Sequence, residues 1–228
     1  EYWRSNGKFT PNITLRLASG GYIGGGLYHS QNLEGALTTL PGARIVCPSF
    51  ADDAAGLLRT SMRSKGFTLY LEPKALYNSV EAAAVVPEEF EVPFGKARIR
   101  REGTDLTVVT YGNTTHFCLN VAERLAQEGL GSVEVIDLRS LIPLDKEAIF
   151  ASVQKTGKVL VVHEDKVFSG FGAEIAAQIA EEMFRYLDAP VQRIGSTFTP
   201  VGFNPILERA ILPNDEKIYK AAKELLEF

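Results

Sequence analysis

Short apolar runs that alternate with longer segments of helical period are the feature that most constrains the fold of this chain. The apolar runs have the length of strands, and the segments between them have the spacing of amphipathic helices. This alternation is typical of a parallel sheet covered by helices on both faces. Two such series follow one another, so the sequence predicts an α/β fold built around two sheets.

The first series contains about three strands, predicted at residues 13–17, 44–47 and 67–71. Ser49, followed three residues later by Asp52, predicts the start of a helix that runs to about residue 62. Three strands are too few for a stable layered domain, so we expect this series to need further residues or a partner. The amphipathic residues 1–4 are expected to be the end of a helix whose earlier part precedes them.

The second series forms a complete doubly wound unit of four or five strands. Residues 73–93 separate it from the first series with three prolines and no sustained period, which is typical of an interdomain connection. We therefore expect two domains, 1–85 and 86–228. The second is predicted to hold strands at 106–111, 133–138, 158–163 and 191–194, and helices near 114–128, 146–155, 172–185 and 215–227.

Charge and cysteine content exclude several classes of protein. The net charge is −4 and the basic residues form no stripe, so nucleic-acid binding is not expected. Cys47 and Cys118 lack the CxxC spacing of a zinc site, and so small a number indicates a reducing compartment, cytoplasm or mitochondrial matrix. No apolar run approaches the roughly 20 residues of a membrane span, so no membrane partner is expected.

A glycine-rich segment, residues 19–31, is the strongest candidate for a functional loop. It follows a strand and carries five glycines within residues 20–26. The spacing fits neither a dinucleotide-binding fingerprint nor a phosphate-binding P-loop. A tight structural loop remains the alternative, but His29 directly after the glycines is well placed to face a pocket and to transfer protons near neutral pH.

Many ordered motifs resemble the beta subunit of thiamine-diphosphate-dependent 2-oxoacid dehydrogenases, which are transketolase-like proteins. The resemblance covers essentially the whole chain. The matching positions are Arg16, the glycine-rich segment, Tyr28-His29-Ser30-Gln31-Asn32-Leu33-Glu34, Pro41-Gly42, Pro48-Ser49, Gly56-Leu57-Leu58, Gly95-Lys96-Ala97, residues 134–139, Lys155-Thr156-Gly157, His163-Glu164-Asp165 and residues 170–175.

The resemblance implies a partial pyrimidine-binding domain over 1–85, lacking its N-terminal part, and a complete transketolase C-terminal domain over 86–228. It implies thiamine diphosphate and magnesium, shared with an alpha-type module. His29 corresponds to the histidine that handles protons at the acyl group. The activating glutamate of the family is expected upstream of Glu1, so neither Glu34 nor Glu72 is assigned that role and no cofactor-binding residue is named in this chain.

Other polar residues are assigned structural roles. His163-Glu164-Asp165 ends a strand where doubly wound folds bind ligands, but the resemblance places it in a domain without cofactor, so a structural role is expected. His116 is expected to pack or to lie at the surface, and Arg139 to form an ion pair between domains or subunits. Some relatives bind potassium at the loop corresponding to 61–66, where this chain has Ser64 instead of an acid, and no metal site is predicted.

The segment Glu72-Pro73-Lys74 resembles the branched-chain enzymes, so a branched-chain 2-oxoacid such as 2-oxoisovalerate is the expected substrate. A pyruvate dehydrogenase beta subunit and a non-catalytic assembly module are the alternatives. Expected partners are an alpha-type module, a second copy of the chain and a lipoyl acyltransferase core. Glu224, Glu227 and the carboxylate of Phe228 are candidates for binding that core, and an ordinary solvated final helix is the other interpretation.

Overall fold

The computed structural model describes residues 5–228, and the expectation of a helix end at residues 1–4 lies outside them. The strands are β1 (Asn12–Ser19), β2 (Ala43–Val46), β3 (Gly66–Pro73), β4 (Arg98–Arg101), β5 (Leu106–Thr110), β6 (Val133–Asp137), β7 (Ser140–Ile142), β8 (Val159–Lys166) and β9 (Gln192–Ser196). The helices are α1 (Gly26–His29), α2 (Glu34–Leu37), α3 (Ala51–Arg63), α4 (Thr114–Gln127), α5 (Lys146–Thr156), α6 (Phe171–Glu182), α7 (Pro205–Ile211) and α8 (Asp215–Glu227).

Two sheets organise the chain, which confirms the predicted α/β class. The first has the order β1-β3-β2-β7, and the second has the order β4-β6-β5-β8-β9. All seven predicted strands are present and are paired in parallel within their own sheet. The sequence missed β4 and β7, which pair antiparallel at the sheet edges. Strand β4 reads Arg-Ile-Arg-Arg and β7 has three residues, so neither shows the apolar run of a central strand.

The two sheets share one hydrophobic core. Ile45 and Leu71 of the first sheet pack in the same cluster as Val109 and Ile136 of the second. Strand β7 also joins the first sheet although it follows β6 in the chain. The first sheet is therefore completed and covered partly by residues from the second half. The predicted domain boundary between residues 85 and 86 stays a prediction.

Helix α3 begins differently from the prediction. Its N-cap is Phe50, which makes no side-chain capping bond, and the Ser49 hydroxyl instead lies 2.9 Å from the Thr115 hydroxyl. The predicted capping pair of Ser49 and Asp52 is therefore wrong. Asp52 and Asp53 still favour this end of the helix, because carboxylates stabilise the positive N-terminal end of the helix dipole.

A buried ion cluster joins α3 to the second half of the chain. The Asp53 carboxylate accepts hydrogen bonds from Arg139, at 2.8 Å, and from Arg100. Arg100 also donates to Asp137 at 2.7 Å, and the Asp53 and Asp137 side chains are fully buried. The prediction that Arg139 forms an ion pair across the two halves is confirmed.

Helix α7 was not predicted. Asn204 caps it by accepting a hydrogen bond from the Ile206 N–H, and Pro205 occupies its first turn. Both are ordinary helix-start signals, but the seven residues that follow are too few to establish a helical period. Within residues 5–228, no helix is long and apolar enough to cross a membrane.

Candidate functional site

A cavity of about 250 Å³ lies at the carboxyl ends of β1 and β3, beside the glycine-rich segment. This edge of a parallel sheet is where α/β proteins place their ligands. His29 and Lys74 bring ionisable side chains to it, and apolar side chains form much of the remaining wall. The lining residues are Leu17, Ala18, Ser19, Tyr28, His29, Gln31, Leu33, Leu37, Leu71 and Lys74.

The glycine-rich segment turns the chain sharply before His29. Gly20, Gly24 and Gly26 have φ values of +85°, +65° and +59°, which favour glycine. The Gly20 N–H donates to the Gln31 carbonyl at 3.0 Å, which closes the segment into a loop. His29 ends the one-turn helix α1 and its side chain is exposed at the cavity. Its catalytic role stays a prediction.

Lys74 is a site residue that sequence reasoning did not single out. It follows the end of β3, is half-buried and faces the same cavity as His29. Burial lowers the pKa of its ammonium group, while the nearby Glu164 carboxylate opposes that shift. The available signal was its position, because a residue just after a parallel strand lies at the ligand-binding edge of the sheet.

Neither of the two unassigned glutamates lines the cavity. Glu72 accepts hydrogen bonds from Arg16 and, at 2.7 Å, from the Tyr77 hydroxyl. Glu34 is buried and accepts a hydrogen bond from the Asn32 amide at 3.0 Å. Within residues 5–228, no carboxylate lines the cavity that holds His29. The structure gives no reason to assign either glutamate to cofactor activation.

Glu34 nevertheless has an unusual carboxyl group. Burial, together with repulsion from the neighbouring Asp165 and Glu164 carboxylates, raises its pKa to about 8. Its Oε2 atom has no hydrogen-bond partner within the described chain. The folded protein therefore binds a proton at Glu34 near neutral pH, where an exposed glutamate is ionised.

Glu34→Gln is expected to stabilise the protein increasingly as the pH rises. An unfolded glutamate loses its proton near pH 4.5 and folded Glu34 loses it near pH 8. Between these values the folded parent holds a proton that the unfolded chain has lost. The free energy of unfolding of the parent therefore falls by up to about 1.4 kcal/mol for each unit that the pH rises. The glutamine side chain does not titrate, so the variant has no such loss. Urea unfolding of both proteins from pH 5 to pH 9 measures the difference, and a difference that does not change with pH would contradict the assignment.

His163, Glu164 and Asp165 are buried and contact the chain's own backbone and packed side chains. The Glu164 carboxylate accepts the Gly21 N–H at 2.5 Å, and Asp165 accepts the Gly35 N–H at 2.9 Å. Burial lowers the pKa of His163 to about 4. Glu164 and Asp165 thus bind the chain on either side of His29, and the structural role that the sequence indicated for the three residues stays a prediction.

His116 packs inside the protein, which is one of the two positions that the sequence left open. Its Nε2 atom lies 2.8 Å from the Ser49 carbonyl, and its ring lies 4.7 Å from that of Phe50. In the loop over 61–66, the Arg44 guanidinium donates to the Lys65 carbonyl at 2.6 Å. Across residues 5–228, no cluster of three or more histidine, cysteine, aspartate or glutamate side chains is arranged to hold a metal ion.

A larger cavity, of about 470 Å³, lies between α3 and the end of β3. Arg16, Glu72 and Tyr77 line it, and the Glu72 carboxylate accepts hydrogen bonds from both of the others. The rest of its wall is mostly apolar, including Phe50 and Leu58. Because its ionisable groups are already paired, it is less suited to proton transfer than the cavity of His29.

Comparison with known proteins agrees with the fold. The family "Transketolase, C-terminal domain" matches residues 95–218. Among solved structures, a split-gene transketolase described as an inactive beta4 tetramer superimposes with a TM-score of 0.72 at 24% identity, over 94% of this chain and 66% of that one. A transketolase mutant from Pichia stipitis gives a TM-score of 0.65 at 13% identity, over 95% and 30% of the respective chains. These likenesses show the fold.

Relatives in sequence show the family, whereas the solved structures show only the fold. The 2-oxoisovalerate dehydrogenase subunit beta of Bacillus subtilis (strain 168) is 41% identical over 227 residues, which cover 99% of this chain and 69% of that protein. The pyruvate dehydrogenase E1 component subunit beta of Staphylococcus aureus (strain Mu50 / ATCC 700699) is 40% identical over 226 residues, with the same coverage. The chain thus belongs to the family of 2-oxoacid dehydrogenase beta subunits, with a transketolase-type C-terminal domain.

Proposed function

We propose that this chain supplies the beta-type half of the active site in the decarboxylating component of a 2-oxoacid dehydrogenase complex. That component carries out oxidative decarboxylation of the 2-oxoacid and reductive acylation of a lipoyl group. The observation that carries the proposal is the cavity in which His29 and Lys74 meet at the carboxyl edge of the first sheet. Family membership gives the reaction class, and the cavity gives the residues.

Thiamine diphosphate with magnesium is the cofactor that the family implies. The apolar wall of Leu17, Leu33 and Leu71 suits a flat heteroaromatic ring. No carboxylate lines this cavity, and residues 5–228 contain no cluster of three or more histidine, cysteine, aspartate or glutamate side chains arranged to hold a metal ion. An alpha-type module would supply the rest of the cofactor site. The bound cofactor would stabilise the carbanion formed when the 2-oxoacid loses carbon dioxide.

His29 and Lys74 would act on the substrate from this side. The exposed imidazole of His29 can donate and accept a proton near neutral pH, which suits proton transfer at the substrate carbonyl and at the lipoyl sulfur. The Lys74 ammonium adds a positive charge on the same cavity, which suits the carboxylate of a 2-oxoacid. Its partial burial strengthens that attraction by reducing competition from water.

A branched-chain 2-oxoacid such as 2-oxoisovalerate is the proposed substrate, with pyruvate as the alternative. The identities to the two kinds of relative, 41% and 40%, do not separate them. The preference rests on the segment Glu72-Pro73-Lys74, which resembles the branched-chain enzymes, and the leucines of the cavity wall are compatible with a branched side chain.

The proposed partners are an alpha-type module, a second copy of the chain and a lipoyl acyltransferase core, in the cytoplasm or the mitochondrial matrix. At the C-terminus, Glu224 and Glu227 are exposed and lie 4.0 and 3.7 Å from Lys220 and Lys223. Such exposed pairs are weak, so a basic partner could compete for the carboxylates. A non-catalytic assembly module remains the second candidate function because this end offers a separate acidic surface.

Reconstitution tests the proposed function. The full-length subunit would be combined with its alpha-type partner, thiamine diphosphate, magnesium and a lipoyl acceptor, and assayed with a panel of 2-oxoacids. We expect acylation of the lipoyl group, with kcat/KM on the order of tenfold or more higher for 2-oxoisovalerate than for pyruvate, the usual discrimination for added methyl groups. Pyruvate preference would select the alternative substrate. Binding of the acyltransferase without any turnover would select the assembly module.

Lys74→Met is expected to raise KM for the 2-oxoacid by about 10- to 100-fold in the reconstituted enzyme, because loss of a charge-assisted hydrogen bond costs roughly 1.5 to 3 kcal/mol. The matched control is Lys96→Met, which removes an exposed lysine that lies 3.6 Å from Glu147 and outside the cavity. Steady-state kinetics of the two variants decide the matter, and equal KM values would remove Lys74 from substrate binding.

A further inference from the structure

We propose that Glu164, Asp165 and Glu208 are positioning residues. By accepting hydrogen bonds from backbone N–H groups on both sides of His29, they hold that residue at its cavity. The inference rests on the proposed function, since it assumes that His29 acts on the substrate. Its structural basis is independent of that assumption. All three carboxylates come from the second half of the chain and contact the first.

Glu164 holds the start of the glycine-rich segment, residues 19–31. Its Oε1 atom accepts the Gly21 N–H at 2.5 Å, and the side chain is 5% exposed. The fit is close, because a Cβ atom at Gly20 would lie 2.7 Å from the same Oε1. Only glycine, at a φ of +85°, lets the backbone approach the carboxylate in this way.

Glu208 holds the middle of the segment. It lies on α7, is 7% exposed, and its Oε1 accepts the N–H groups of Ile23 and Gly24 at 3.2 and 3.3 Å. The Tyr22 hydroxyl donates to the Pro213 carbonyl at 2.7 Å, just beyond the same helix. Two consecutive N–H groups and one hydroxyl are thus fixed to the chain around α7, two to four residues before the start of α1, which ends at His29.

Asp165 holds the other side of His29. Its Oδ2 atom accepts the Gly35 N–H at 2.9 Å, in the first turn of α2. The backbone is packed tightly there, since a Cβ atom at Gly35 would lie 2.4 Å from the Ser169 carbonyl oxygen. The chain that carries His29 is therefore anchored both before and after that residue.

These contacts replace the hydrogen bonds that a strand or long helix would provide. The segment 20–25 between β1 and α1 lies outside the sheets and helices, so its N–H groups need other acceptors. Carboxylates are stronger acceptors than neutral groups, which compensates part of the cost of burying them. Because the acceptors lie in the second half, the position of His29 depends on how the two halves pack.

Backbone hydrogen exchange tests the positioning directly. In the assembled full-length enzyme, Glu208→Leu removes the acceptor of two N–H groups, and Glu208→Gln retains an acceptor oxygen. We expect exchange in peptides covering residues 20–31 to accelerate at least tenfold in the leucine variant and to return toward the parent rate in the glutamine variant. The matched control is Glu181→Leu, because Glu181 is exposed at the end of α6.

The effects on kcat and KM distinguish positioning of His29 from a general loss of stability. Glu208→Leu should lower kcat at least tenfold with KM changed less than threefold, and Glu208→Gln should restore most of kcat. If Glu208→Leu does not assemble, Glu164→Gln and Asp165→Asn take its place, because both keep the side-chain shape. We then expect hydrogen exchange to accelerate and kcat to fall by about threefold each.

Each outcome has one meaning. Unchanged exchange in residues 20–31 would overturn the positioning proposal whatever the activity. Faster exchange with normal kcat would overturn the link to His29, provided that His29→Ala itself lowers kcat. If His29→Ala leaves kcat unchanged while exchange accelerates as expected, the proposed function fails and the backbone contacts stand.

Discussion

Turnover of the reconstituted enzyme is expected to fall by about 10² to 10⁴ when His29 is replaced by alanine, the usual range for a positioned acid or base. The His29 side chain is exposed at its cavity, so its removal is expected to cost little packing. The thermal unfolding temperature should therefore stay close to that of the parent. Single-turnover acylation of the lipoyl group, with saturating cofactor, measures the effect.

Leu27→Ala is the matched control for this substitution. Leu27 lies on the same one-turn helix α1, is 48% exposed and does not line the cavity. We expect its turnover to equal that of the parent. A His29→Ala enzyme that keeps turnover within about threefold of the parent, or that loses activity only because it unfolds, would remove His29 from the chemistry.

The largest stability effect is expected for Asp53→Ala. The Asp53 carboxylate is fully buried and pairs with Arg100 and Arg139, whose side chains are 8% and 10% exposed. Without it, two buried guanidinium groups lose an anion, and Asp137 alone faces Arg100. Removing one partner from such a buried cluster costs about 3 to 5 kcal/mol. For a chain of this size, that lowers the unfolding temperature by roughly 6 to 20 °C.

Asp52→Ala is the control, because Asp52 is the adjacent residue in the same helical turn. Its partner, Arg98, is 45% exposed and the two lie 2.9 Å apart, so this pair is expected to contribute less than about 1 kcal/mol. Differential scanning calorimetry of both variants should separate them clearly. Equal shifts would show that the buried cluster adds no more stability than a surface ion pair.

Periodicity and apolar run length were sufficient to predict the central strands and the longer helices. Strands such as β5 and β8 are buried along nearly their whole length, and each contains a short apolar run, Val108-Val109 in β5 and residues 159–162 in β8. The signal failed where an element is short or lies at an edge, as with β4, β7 and α7. It also failed for the start of α3, where Ser49 bonds to Thr115 from another helix instead of capping its own.

The candidate site was predicted only in part. His29 stood out because five glycines precede it. The two glutamates that bind those glycines could not be found from spacing, because Glu164 lies 143 residues from Gly21 and Glu208 lies 184 residues from Gly24. Contacts between residues so far apart in the chain depend on how the two halves pack, and no local sequence pattern predicts them.

We propose that this chain contributes the beta-type half of a cofactor site that an alpha-type module completes. Calorimetric titration with thiamine diphosphate and magnesium tests it most directly, first on the 228-residue chain and then on the full-length subunit assembled with its alpha-type partner. We predict no binding at micromolar concentrations for the chain alone and micromolar or tighter binding for the assembly. Micromolar binding to the chain alone, or none to the assembly, would contradict the account.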